Sequence, residues 1–93
     1  MALTDITSQA ILDAVAEYDR LGQDAFLHRY GFGAARKYFL VHNGQEYASK
    51  AVVGVAHGYQ FPDQGPLQAG DFRGGYATVQ PLLESLGFNV RVG

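Results

Sequence analysis

The stretch "RKYFLVHNGQEYASKAVVGVAHGY", residues 36–59, gathers the side chains of this sequence best suited to chemistry. Arg36, Lys37 and Lys50 can neutralise phosphates, while Tyr38, His42 and Tyr47 can stack on or hydrogen-bond to a base. Cations that hold a backbone, interleaved with rings that meet bases, form a nucleic-acid pattern. Ser49 and Lys50 stand where a helix should begin, and a helix start leaves N–H groups free and carries partial positive charge. Together they would make a small anion site, with His57 two turns further along. The plainer alternative is that both tyrosines cover a core edge, Ser49 only caps the helix and Lys50 is solvated. The four lysines and arginines between residues 25 and 57 are few for tight DNA binding.

Other chemistries find no support in the spacing. His28, His42 and His57 are 14 and 15 residues apart and make no HxH, HxxxH or HExxH pattern. Each reads as a surface or half-buried imidazole. With no cysteine there is no disulfide framework, thiolate zinc site or cysteine nucleophile, which fits a reducing compartment. No Gly-x-Ser-x-Gly elbow, Walker loop or dinucleotide fingerprint occurs. Gly74-Gly75 could expose amides to a phosphate, although a plain glycine turn explains them as well. We therefore expect no catalytic residue, no metal and no cofactor.

The elements that must position these residues are short. At 93 residues, 47% hydrophobic and 17% charged, the chain is expected to be one globular domain, residues 1–93. The net charge of −2 is unevenly spread. Five acids face Arg20 in residues 1–24, whereas residues 25–57 carry four cations and all three histidines against Glu46. That basic island is where a polyanion would touch, while the pI of 5.8 argues against indiscriminate nucleic-acid binding. A solvated polar face is the bland alternative. No signal peptide or membrane span is legible, so a soluble, intracellular and cytoplasmic location is expected, without a membrane partner.

Periodicity predicts a helix over "DITSQAILDAVAEYDRLG", with Ile11, Leu12, Val15, Tyr18 and Leu21 inward and Asp13, Glu17 and Arg20 outward. Thr7 or Ser8 would cap it, and Gly22 would end it. A second helix in "QDAFLHRYG" buries Phe26, Leu27 and Tyr30, and Phe32 plugs the crossing that follows. Asn43-Gly44 is a type I′ hairpin turn, pairing His42 with Gln45 and Leu40 with Tyr47. Of the two hairpin faces, Phe39, Val41, Glu46 and Ala48 look more like core than Tyr38, Leu40, His42, Gln45 and Tyr47. Ser49 would cap a helix in which Gly54 implies close packing against another backbone. A Gly/Pro-rich loop follows, then a helix through "YATVQPLLESLG" that starts late or kinks at Pro81, then a third strand in "FNVRV". The expected fold is α+β: a three-stranded antiparallel sheet with four helices, in the order ααββααβ.

Taken in order, "YDRLG", "FLHRYGFG", "YFLVHNGQEYASKA", "AHGY", "FRGG" and the terminal "LGF-x-V" resemble the N-terminal head domain of bacterial modification-dependent (type IV) HNH restriction endonucleases. Those enzymes carry a sulfur-binding domain for phosphorothioate DNA, and some add a methylcytosine-reading domain. The resemblance spans about residues 9–92 and implies a head module beside recognition and nuclease domains, either free-standing or cut from a larger enzyme. It brings over no HNH motif and no sulfur pocket, and it marks Tyr47, Ser49 and Lys50 as the distinctive motif. Two functions stay open. A DNA-binding or modification-sensing module would use Arg36, Lys37, Lys50 and Arg73 for phosphates and Tyr38, Tyr47 and His42 for a plain or modified base, with Ser49 and His57 beside them. A protein-interaction or oligomerisation head would dock the same aromatic face on a neighbouring domain or a second copy as a homodimer.

Overall fold

The helix Ser49–Gln60 runs through the middle of the molecule, with Ala51 to His57 buried without a break. The computed structural model describes residues 5–72 and 78–93. The elements are α1 (Ser8–Leu21), α2 (Gln23–Tyr30), β1 (Tyr38–His42), β2 (Gln45–Ala48), α3 (Ser49–Gln60), α4 (Val79–Ser85) and β3 (Asn89–Val92). A short 3-10 turn at Ala69–Asp71 precedes α4. This is the α+β order expected from the sequence, with strands arranged β2-β1-β3 and both pairings antiparallel. None of the described helices is long and apolar enough to cross a membrane.

Local chemistry sets the element ends. Thr7 Oγ1 accepts from the Ala10 amide at 3.3 Å and caps α1, a contact worth about 1 kcal/mol. After α2, the Gly31 amide bonds to His28 and the Phe32 amide to Leu27; after α4, Gly87 bonds to Glu84 and Phe88 to Leu83. Both are paired Schellman endings, and they drop Phe32 and Phe88 onto the core. Asn43 and Gly44 take φ of 52° and 78°, as the two-residue turn requires. Pro81 falls in the first turn of α4, where its missing amide breaks no intrahelical bond.

Three expectations are corrected. The hairpin face turned to the core is the one holding Leu40 (0% exposed) and Tyr47 (3%), because Glu46 on the other face leaves to pair with Arg91. Tyr47 can lie inward because its hydroxyl emerges at Asp19, 2.7 Å away. Glu17 does not face away from α1: it is buried, while Leu12 is exposed and Ala10 and Ala14 complete the inward stripe. Ser49 does not cap α3. No residue separates β2 from the helix, so Ala48 takes the cap position and Ser49 Oγ instead donates to the Tyr38 carbonyl at 3.0 Å.

Candidate nucleic-acid interface

Two glycines one turn apart on α3 decide how close its neighbours come. A Cβ at Gly54 would lie 2.6 Å from Phe32 Cζ and 3.0 Å from the Leu67 oxygen, and one at Gly58 only 2.7 Å from the Pro66 nitrogen. With hydrogen alone at both positions, the 61–68 loop lies directly on the helix. It is tied there by the Leu67 amide on Gly54 O (2.9 Å) and by His57 Nδ1 donating to Gly65 O (2.8 Å). The end of α2 and the crossing to β1 lie beside this loop. The surface between them is furrowed.

At the head of α3 lies a cavity of about 420 Å³, bounded by the 32–38 crossing, the first turn of the helix and Ala69. It brings Arg36, Lys37, Tyr38, Ser49 and Lys50 together. Arg36 and Lys37 are exposed and form no ion pair among the described residues. Lys37 Nζ lies 5.7 Å from the centre of the half-buried Tyr38 ring. Lys50 Nζ donates to Ala69 O at 2.7 Å and sits 5.2 Å from the Phe72 ring, which leaves two of its N–H groups for other acceptors. Chemically the arrangement is a cationic groove with one aromatic wall, suited to phosphate oxygens.

The other predicted residues are not brought to this groove. His42 is half-buried at the far end of β1, its ring 5.7 Å from that of Phe88. Tyr47 meets Tyr18 edge-on at 4.8 Å, and burial together with its bond to Asp19 pushes the phenol up to about 12. His57 is 1% exposed and buttresses the 61–68 loop. Ser49 does line the groove, but its hydroxyl is spent on the Tyr38 carbonyl. Arg73 and Gly74-Gly75 lie outside the described residues. Among the described residues no three potential ligands cluster as a metal site.

A second cavity, about 490 Å³, opens towards the other end of α3, and a buried carboxylate forms part of its wall. Glu17 accepts from Tyr30 Oη at 2.5 Å and from Tyr59 Oη at 2.6 Å, with Arg29 Nε 3.8 Å away. Burial alone would raise its pKa. The two phenol hydrogen bonds and the charges of Arg29 and Arg20 outweigh that, leaving the carboxyl below its ordinary value. The bond to Glu17, aided by burial, pushes the Tyr59 phenol up to about 12.

The sequence profile of the ScoMcrA-like N-terminal head domain matches residues 4–92. The chain belongs to that family. Among solved structures the head domain is similar to the Type IV phosphorothioation-dependent restriction endonuclease ScoMcrA, with a TM-score of 0.67 and 38% identity over 95% of this chain. It spans only 13% of the length of that endonuclease. No curated protein matches it.

The residues of the head domain that sequence reading passes over are Glu17, Arg20, Arg29, Tyr30 and Tyr59, which all line the second cavity. One signal pointed to the first of them. Glu17 lies three residues after Ala14 and four before Leu21, on the inward stripe of α1 rather than opposite it. Its partners come from α2 and α3, and no spacing within one helix announces them.

Proposed function

We propose that this head domain is a non-catalytic accessory module of a bacterial restriction or phage-defence system, contacting DNA through the groove at the head of α3. The observation that carries this is the placing of Arg36 and Lys37, exposed and without a carboxylate partner among the described residues, beside Lys50 in one concavity. The likeness to part of a phosphorothioation-dependent endonuclease supports the same conclusion. Arg36, Lys37 and Lys50 neutralise phosphates, and Tyr38 lies beside them for a sugar or base. Cleavage belongs to a nuclease domain of the HNH kind, in cis or in trans, and the module works in the cytoplasm. Fluorescence anisotropy with plain, cytosine-methylated and phosphorothioate duplexes tests this for the wild type and for Arg36→Ala/Lys37→Ala. Binding that the double variant loses supports the function, and a preference among the duplexes names the modification. Absence of binding to all of them at high micromolar protein would sink it.

One observation favours the second function, a docking head, although on the sheet face opposite the expected aromatic one, which is turned to the core. The outer face of the sheet carries Phe39 and Val41 only half-buried, with the Arg91 guanidinium 4.5 Å above the Phe39 ring. A protein partner on that face would hold with an affinity that salt barely changes, whereas phosphate contacts weaken steeply.

A further inference from the structure

The cavity beside Glu17 continues towards the groove at the head of α3. A third hollow, lined by His28, Arg29, Tyr30, Gly31 and the 66–68 segment, shares Arg29, Tyr30 and Pro66 with the cavity beside Glu17. At its other end Gly31 and Gln68 are followed in the chain by Phe32 and Ala69, both in the wall of the groove at the head of α3. Three hollows therefore follow one another between the 28–37 segment on one side and the 65–69 segment on the other, a trough with Lys50 at one end and Tyr59 at the other. At 1.5 Å per residue of α3 its length is about 15 Å.

Among the described residues, Arg20, Arg29, Arg36, Lys37 and Lys50 line this trough, against the one carboxylate of Glu17. Arg91, the remaining described cation, is paired with Glu46 on the sheet. Along the same line stand the rings of Tyr38, Tyr30 and Tyr59. Tyr30 and Tyr59 have committed their hydroxyls to Glu17, so the part of each that a ligand can use is its ring. Tyr59 is 42% exposed although its hydroxyl is pinned, and the Arg29 guanidinium lies 5.6 Å from the Tyr30 ring centre. Fixed rings alternating with cations recognise unpaired bases on a continuous backbone, because a paired base offers no free face.

We propose, resting on the nucleic-acid function above, that the trough is a single-strand site. It takes a few nucleotides of unpaired DNA, with phosphates on Arg36, Lys37, Arg29 and Arg20 and a base stacked on Tyr59. Glu17 is the buried anchor that fixes the stacking ring. Such a strand would be a locally opened segment or an end presented next to the sequence that other domains read.

The test uses anisotropy of a short fluorescent oligothymidylate and of a blunt fluorescent duplex. Wild type is compared with Tyr59→Ala, Tyr59→Phe, Arg20→Ala and Arg36→Ala/Lys37→Ala. Tyr59 and Arg20 are exposed, so loss of their side chains removes little core packing, and Tyr59→Phe, which also loses the bond to Glu17, controls for that bond. The expected result is single-strand affinity that falls about tenfold in Tyr59→Ala and severalfold in Arg20→Ala, falls less in Tyr59→Phe, whose ring remains but is no longer tied to Glu17, and falls in the double variant. Duplex affinity should respond to the double variant but not to Tyr59→Ala. Duplex binding lost in the double variant, with single-strand binding untouched by Tyr59→Ala, overturns the single-strand site and leaves the DNA-contact function standing. Single-strand binding that depends on Tyr59 but not on Arg36 and Lys37 overturns the groove as the DNA contact. No binding to either probe overturns both.

Discussion

Tyr59 and Glu17, 42 residues apart in the chain, are joined by a 2.6 Å hydrogen bond to a carboxylate that is only 4% exposed. The bond ties the last turn of α3 to the middle of α1, and Tyr30 adds α2 to the same carboxylate. One acid thus fastens three helices, and it does so beneath the cationic trough.

Removing one phenol leaves a buried carboxylate oxygen short of a donor. Tyr30→Phe should cost about 1–3 kcal/mol, the range for an orphaned buried polar group. Tyr59→Phe should cost less, because the exposed side of its site admits water. Urea melts of the two variants against wild type check both the order and the size.

The pH dependence should have two limbs. Glu17 has its folded pKa below the usual 4.5, so its contribution is present above about 4.5 and is lost as pH falls through the lowered folded value. Tyr47 and Tyr59 are held up to about 12 in the folded state against an ordinary 10.0. Their contribution is complete below pH 10 and disappears between about 10 and 12. Melting temperature followed across pH should therefore fall at both ends, with Glu17→Gln flattening the acid limb and Tyr47→Phe the alkaline one.

Gly58→Ala should destabilise the domain despite the better helix propensity of alanine. The new methyl would meet the Pro66 nitrogen at 2.7 Å, and backbone cannot step aside as a flexible side chain can. An overpacking cost of about 1–3 kcal/mol is expected, read as a lower urea midpoint. Because the 61–68 loop is also a wall of the trough, single-strand binding should weaken in the same variant.

Much of the fold was legible because its signals are local. Asn43-Gly44 sets the hairpin register, Thr7 caps α1, and Gly31 and Gly87 end their helices through bonds made within a few residues. Half of the site was legible in the same way, since Arg36, Lys37 and Tyr38 are consecutive and Lys50 opens the helix after the hairpin. What escaped depends on tertiary partners. Leu40 and Tyr47 face inward because a remote Asp19 receives the Tyr47 hydroxyl, and Glu17 is inward because two tyrosines from other helices meet it. His57 and Ser49, which the motif picks out for chemistry, bond to backbone carbonyls and hold a loop and a strand in place.

The central claim is that the exposed pair Arg36 and Lys37 contacts phosphates. The most direct measurement is the slope of log binding constant against log salt for a duplex, for wild type and for Arg36→Ala/Lys37→Ala. Every duplex phosphate that a side chain no longer neutralises takes about 0.9 off that slope, so the double variant should be shallower by about 2 and weaker at every salt concentration. A wild type that binds with the same slope and affinity as the double variant would contradict the account.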